Sequence, residues 1–337
     1  MPKCKYTSIG GQALIEGIMM KSPEKTAMAV RTKTKEIDIT YLEEKSLRKK
    51  SKILNLPVIR GVLAFAESLI NGYKALMLSA EKSGFTDLEE DSEKDKPKTQ
   101  AQEKKESVFV NIIMIIGTVL GVALAVVLFM LLPRLVVGGL QWLFKTEFSK
   151  LARSFIEQGL KLAVFVIYIW AVSFMNDIRR TFMYHGAEHK TIFCYEKGLP
   201  LTVENVKEQK RFHPRCGTSF MILMILISVI ISTVVQIIFP TVYNLAAAWV
   251  AIKILLVPLT CGIGFEVLKI CGRYDNIVTK IISAPGLWLQ RITTKEPDDS
   301  IIEIAIAALK ACEPEKPDVE RPEEKSETAE ESEAQED

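Results

Sequence analysis

Long apolar runs alternate along this chain with stretches dense in charge. Val108 to Leu132 carries no charged residue, which is long enough for a helix to cross a hydrocarbon core of about 30 Å with some tilt. Three further apolar runs follow. Gly159 to Met175 is closed by Asp177, Arg179 and Arg180, and Ser219 to Phe239 is uninterrupted. The run from Leu245 to Val267 contains Lys253, Pro258 and Glu266. The pattern predicts a mainly α protein, a polytopic helical membrane protein with about four transmembrane helices within residues 108–283. Between the first two runs, residues 133–158 mix Arg134, Trp142, Lys145, Lys150 and Arg153 with apolar positions, the expected composition of an interfacial helix pair on the far side of the membrane.

Ahead of these spans the periodicity changes. Thr26 to Thr32 and Glu36 to Leu42 alternate and are rich in β-branched residues, predicting a hairpin turned near Lys33-Thr34-Lys35 and a small cytoplasmic α+β element over residues 1–56. Within it, Gly10-Gly11 precedes an apolar run that carries Glu16. An acid among Leu14, Ile15, Ile18 and Met19 needs a partner. Either it faces the site discussed below or it is a solvent-facing glutamate in a turn. Residues 57–83 predict a helix with Pro57 in its first turn. Arg60, Glu67 and Lys74 recur at seven-residue intervals and fall on one stripe. That favours an amphipathic helix lying in the interface, with a re-entrant or spanning helix as the rival.

Residues 84–107 are rich in Lys and Glu and are expected to form a disordered linker. Residues 284–312 place Trp288 and Arg291 where an interfacial anchor belongs. They end in a helix from Ser300 to Ala311, capped by Asp298 or Asp299, with Ile302, Ala305, Ile306 and Leu309 on its apolar face. Residues 313–337 are acidic and lack aromatics, as a disordered tail does.

A composition of 48% apolar and 25% charged residues with a mean hydropathy of +0.17 fits membrane segments separated by polar ones. The net charge of +2 combines a lysine-rich front with an acidic tail, and no nucleic-acid patch stands out. Six cysteines, Cys4, Cys194, Cys216, Cys261, Cys271 and Cys312, lack the spacing of a secreted disulfide framework and are expected to be reduced. The N-terminus has no apolar signal-peptide core. Basic residues set the expected orientation. Segment 177–218 holds Arg179, Arg180, Lys190, Lys197, Lys207, Lys210, Arg211 and Arg215, against four basic residues in 133–158 and none in 240–247. By the positive-inside rule segment 177–218 and both termini are cytoplasmic.

That segment also concentrates the candidate chemistry. It holds all three histidines of the chain, His185, His189 and His213. On a helix His185, Glu188 and His189 stand at i, i+3 and i+4 and project from one face. Two imidazoles one turn apart make half of a tetrahedral zinc site. His-x-x-Glu-His is also the inverted zincin motif, in which the glutamate activates water; here Glu188 is either a ligand or a base. His213 and Cys216, three apart in a turn with Pro214 and Gly217, supply further donors. The plainer alternative makes these residues interfacial histidines and an ordinary packed cysteine.

With Gly10-Gly11-Gln12-Ala13, Glu16-Gly17, Leu56-Pro57, Arg60-Gly61, His185-Gly186-Ala187-Glu188-His189-Lys190, His213-Pro214-Arg215-Cys216-Gly217-Thr218 and Pro285-Gly286-Leu287 through Thr293-Thr294, the chain resembles the YqhQ-like family of bacterial membrane proteins. That family is of unknown function and is sometimes predicted to contain metal-dependent enzymes. The resemblance implies a bacterial plasma-membrane protein and brings no established substrate.

Two functions fit the residues. In the first, a metal-dependent hydrolase at the cytoplasmic membrane face, His185, His189 and either His213 or Cys216 hold a divalent metal such as zinc. Glu188 takes a proton from water and Arg215 steadies developing negative charge. In the second, a non-enzymatic scaffold or adaptor for other membrane proteins, His185, His189, His213 and Cys216 close a structural site. A transporter built around Lys253 and Glu266 is a third and weaker option, with snorkelling as the favoured alternative for Glu266.

Overall fold

The computed structural model describes residues 9–43, 53–85, 116–239, 246–274 and 276–313. The expected linker beyond Phe85, the first residues of the first expected span and the tail beyond Glu313 lie outside the described residues.

The chain begins with a four-stranded antiparallel meander in the order β1 (Gly10–Leu14), β2 (Gly17–Lys21), β3 (Thr26–Arg31) and β4 (Ile37–Tyr41). The hairpin read from the sequence is β3–β4, with Arg31 opposite Ile37. The glycine-led segment before it forms a second hairpin, β1–β2, whose tight turn holds Glu16 at φ 51°. That pair is hard to see in the sequence because β2 is buried on both faces and β1 is led by two glycines, so the alternation that reveals β4 is missing. Ile18, Met20, Ala27 and Ala29 have no exposed surface and join the same core as Ile301, Ile302, Ala305 and Leu309.

Those last residues belong to the final helix of a series. In chain order the helices are α1 (Ile59–Ser83), α2 (Ile116–Phe144), α3 (Lys150–Val172), α4 (Asn176–Glu196), α5 (Val203–Lys207), α6 (Gly217–Ile238), α7 (Ala246–Arg273), α8 (Ile277–Thr293) and α9 (Asp299–Cys312). α9 starts where its cap was expected: Asp298 accepts from Ile301 N–H at 2.9 Å. Its apolar stripe docks on β2, β3 and α4. The sheet, α4 and α9 therefore form one packed head.

Among the described residues four helices are long and apolar enough to cross a membrane: Ile116–Phe144, Leu151–Val172, Gly217–Ile238 and Ala251–Cys271. Much of their apolar surface is left open, with Leu135 71% and Leu255 76% exposed, as expected of helices whose outer faces contact lipid. The expected interfacial helix pair at 133–158 is corrected. α2 continues to Phe144, α3 begins at Lys150, and only the short segment 145–149 separates them. Arg134 does not end a helix, and Pro133 is accommodated by a π turn at Val127–Leu131 in which Leu132 N–H reaches back to the Val127 carbonyl.

α1 is not among the four, and its polar stripe is put to use inside the fold. Arg60 forks onto Glu266 of α7, its Nε 2.6 Å from one carboxylate oxygen, so Glu266 is an ion-pair partner rather than a snorkelling residue. Glu67 is buried and Lys74 exposed. Gly61 permits this crossing, because a Cβ there would stand 2.9 Å from Gly262 Cα. The far end of α1 lies under the sheet, where Ile15 N–H donates to Ser79 Oγ at 3.3 Å and Lys82 pairs with Asp38 at 2.5 Å.

A second close crossing shapes the head. Residues after α8 run over α4 at Gly186, with Lys295 N–H donating to the Phe182 carbonyl at 2.8 Å, and a Cβ on Gly186 would overlap the Lys295 carbonyl oxygen. Backbone cannot yield as a flexible side chain can, so Gly186→Ala is expected to lower stability by about 1–3 kcal/mol. Gly159→Ala, in a helix with nothing within 4 Å of the new methyl, should be neutral or stabilising by up to about 1 kcal/mol. Thermal unfolding of the two variants in detergent reads the difference, and equal midpoints would contradict the crossing.

Candidate metal centre

The segment expected to carry the chemistry is helical, as the spacing required. α4 runs continuously from Asn176 to Glu196, so His185, Glu188 and His189 share a face. The helix is aimed by the β1–β2 turn: Glu16 takes a bidentate ion pair from Arg180 and accepts from Tyr184 O–H at 3.1 Å. Glu16 therefore does not reach the histidines. It anchors the helix one turn ahead of them. Burial, with the Glu16 carboxylate alongside, pushes the Tyr184 phenol above its usual range, so it remains a donor to that carboxylate.

Each imidazole is oriented by a backbone carbonyl. His185 Nδ1 lies 2.8 Å from the Thr293 carbonyl oxygen, and His189 Nδ1 lies 2.5 Å from that of Arg211. A carbonyl only accepts, so both rings carry their proton on Nδ1 and turn an Nε2 lone pair inward. The two Nε2 atoms meet different fates. His185 Nε2 is 3.0 Å from Cys216 Sγ, whereas His189 Nε2 is buried with no hydrogen-bond partner among the described residues. One ligand atom from each of His185, His189 and Cys216 falls within 4.8 Å of the other two. A ring fixed through Nδ1 with Nε2 free is how histidine ligands are held in metal sites, and a buried acceptor without a donor calls for an occupant. These three residues can therefore hold a metal ion, and the donor set fits zinc.

Cys216 is placed by α6, of which it is the N-cap: Thr218 N–H donates to its sulfur at 3.4 Å. The turn before it is clamped by Gln290 of α8, which accepts from His213 N–H at 2.7 Å and donates to the His213 carbonyl at 2.8 Å and to Ser219 Oγ at 2.9 Å. Gln290 has no exposed surface. No spacing argument marked it, because its partners lie more than seventy positions away.

His213 is close by but outside the triad. Its ring centroid is 5.5 Å from that of His189, and its Nδ1 accepts from Arg215 N–H at 3.3 Å. Burial, reinforced by His189 and Arg215, pushes this imidazole down to about 2, so it is neutral at physiological pH. Arg215 points its guanidinium at the buried Glu196, in an ion pair that bridges the turn and α4. Glu188 is buried beneath β1, close enough to His185 to feel its charge. A Cβ on Gly11 would stand 2.8 Å from Glu188 Cγ, which explains the second glycine of the pair. Burial pushes the Glu188 carboxyl up to about 7, against the opposing pull of His185 and of the Gly11 N–H. Lys190 completes the enclosure, donating to the Lys207 carbonyl at 2.9 Å and pairing with Glu296 at 2.6 Å. All the described cysteines are free and buried.

Fold and site together define a mainly helical protein with four helices apolar enough to span a bilayer and a packed head holding a buried His-His-Cys cluster. The chain belongs to the family described as a protein of unknown function (DUF1385), whose model matches residues 56–315. It is 35% identical over 303 residues to the uncharacterized protein YqhQ of Bacillus subtilis (strain 168), covering 89% of this chain and 90% of that protein. No solved structure matches.

The geometry separates the four sequence-derived donors into three and one. Purified protein analysed for metal should contain about one divalent ion per chain, lost in His185→Ala, His189→Ala and Cys216→Ser and retained in His213→Ala. Retention in all three of the first group would show that the triad holds no metal.

Proposed function

We propose that this protein is a multi-pass protein of the bacterial plasma membrane, with both termini and the packed head on the cytoplasmic side, and that it is a metal-dependent hydrolase. Support for the topology comes from the even number of apolar helices among the described residues and from the basic residues of segment 177–218. Support for the chemistry rests chiefly on one observation, the buried and unpartnered Nε2 of His189 facing a second imidazole and a cysteine sulfur.

His185, His189 and Cys216 would hold the metal, and three protein ligands leave a tetrahedral site one open position, the hallmark of catalytic rather than structural zinc. A zinc ion supplies Lewis acidity and makes water acidic enough to act as a nucleophile near neutral pH. Glu188, next to His189 on the same helix, is the residue to receive the proton, and the Gly11 N–H steadies its charged form. Arg215, held by Glu196 and one residue before Cys216, would act on developing negative charge after turning from that partner. Substrate enters this reading only as a carbonyl or phosphoryl ester presented at the membrane surface.

One observation favours the alternative, a scaffold with a closed structural site. The neutral, buried ring of His213 lies against His189, and a modest rotation would offer it as a fourth ligand. X-ray absorption on zinc-loaded protein separates the two. The hydrolase predicts two imidazoles, one sulfur at about 2.3 Å and one light oxygen atom; a third imidazole in place of the oxygen means a scaffold. Glu188→Gln adds an independent check: it should keep its full metal content yet fail to complement a deletion strain, and full complementation would remove the proposed base.

A further inference from the structure

A second feature lies deep in the helical bundle. A cavity of about 340 Å³ opens between α2, α3, α6 and α7, and its polar lining is Gln158, Lys161, Ser228, Ser232, Lys253 and Thr260. Ser228 and Ser232 follow Cys216 by 12 and 16 residues, which at about 1.5 Å per residue puts the cavity roughly 18–24 Å along α6 from Cys216. It is a separate site.

Its charge is unbalanced. Lys161 sits midway along the Leu151–Val172 span and Lys253 near the start of the Ala251–Cys271 span. Among the described residues no salt bridge reaches either lysine. The charges that act on the pair are each other's, with those of Glu157 and Arg134; the two amines lie within hydrogen-bond reach of one another, and Glu157 is already held by Arg153 at 3.0 Å. Two further contacts are neutral: Lys253 Nζ stands 5.2 Å over the buried Trp249 ring, and Thr260 donates to the Leu256 carbonyl. An ammonium inside a bilayer is costly, and intramembrane charges almost always face a partner. Two of them lining one cavity with a single, already paired carboxylate nearby call for an anion.

The rest of the wall selects its kind. Phe129, in the π turn of α2, and Phe165 lie on one side with their rings tilted and their centroids 6.5 Å apart. Val257, also lining the cavity, is 50% exposed on the outer surface, so the cavity communicates with the face that would meet lipid. The volume is that of a small-ligand pocket, apolar apart from a few convergent polar groups.

We propose that this cavity binds an anionic phospholipid, its phosphate between Lys161 and Lys253 and its first methylenes against Phe129, Phe165 and Val257. The proposal rests on the four apolar helices crossing a bilayer and not on the metal reading. It is tested by native mass spectrometry of the full chain in neutral detergent, supplied with phosphatidylglycerol, diacylglycerol of the same chains, or inorganic phosphate. The native protein should retain phosphatidylglycerol at least tenfold over diacylglycerol and should not release it to millimolar phosphate. Lys161→Gln combined with Lys253→Gln should abolish the preference, and the paired arginine variants should keep it within about threefold. Equal retention of diacylglycerol by the native protein overturns the proposal whether or not the glutamine variant folds. Undiminished retention by that variant does the same, and displacement by phosphate alone would reassign the cavity to the free anion.

Discussion

Two backbone carbonyls, those of Thr293 and Arg211, fix what the head of this protein can do. By accepting from Nδ1 of His185 and His189 they decide the tautomer of both rings and turn both Nε2 lone pairs toward Cys216. Neither carbonyl is free to move. Thr293 ends α8, which is locked to the His213 turn by Gln290, and Arg211 pairs through its side chain with Glu296, which also binds Lys190. The triad is thus the product of three distant segments closed on one helix, with a buried polar shell of the kind that rigidifies a site when fully satisfied.

The sheet belongs to the same arrangement. Its first hairpin supplies Glu16, which grips α4 at Arg180 and Tyr184, and Gly11, whose bare backbone lets Glu188 lie flat beneath β1. α9 seals the other side with a fully buried apolar face. Apolar packing gives the head its cohesion, while bidentate ion pairs set its registers: Arg180 with Glu16, and Arg60 with Glu266. Both pairs are partly exposed, so their contribution lies in fixing geometry more than in net stability.

Much of this was legible in the residues. Helical spacing alone brought His185, Glu188 and His189 to one face, the turn residues around Pro214 marked Cys216 as a neighbouring donor, and the α9 cap could be named to within one residue. What escaped was everything set by long-range pairing. Glu16 finds Arg180 across 164 positions, and no local pattern distinguishes that partner from a metal site. The choice of Cys216 over His213 is made by Gln290 and Glu196 gripping the turn. The β1–β2 hairpin was hidden because burial of both faces of β2 erases its alternation, and the second half of α2 was hidden because one arginine and one tryptophan imitate an interface.

The account is tested most directly by ¹⁵N-histidine NMR of the detergent-solubilised, metal-free protein, since the whole chain contains only three histidines. His185 and His189 should both show the Nδ1–H tautomer, and adding one equivalent of zinc should shift the Nε2 resonance of both. Nε2–H tautomers at these two rings, or zinc leaving both unmoved, would contradict it.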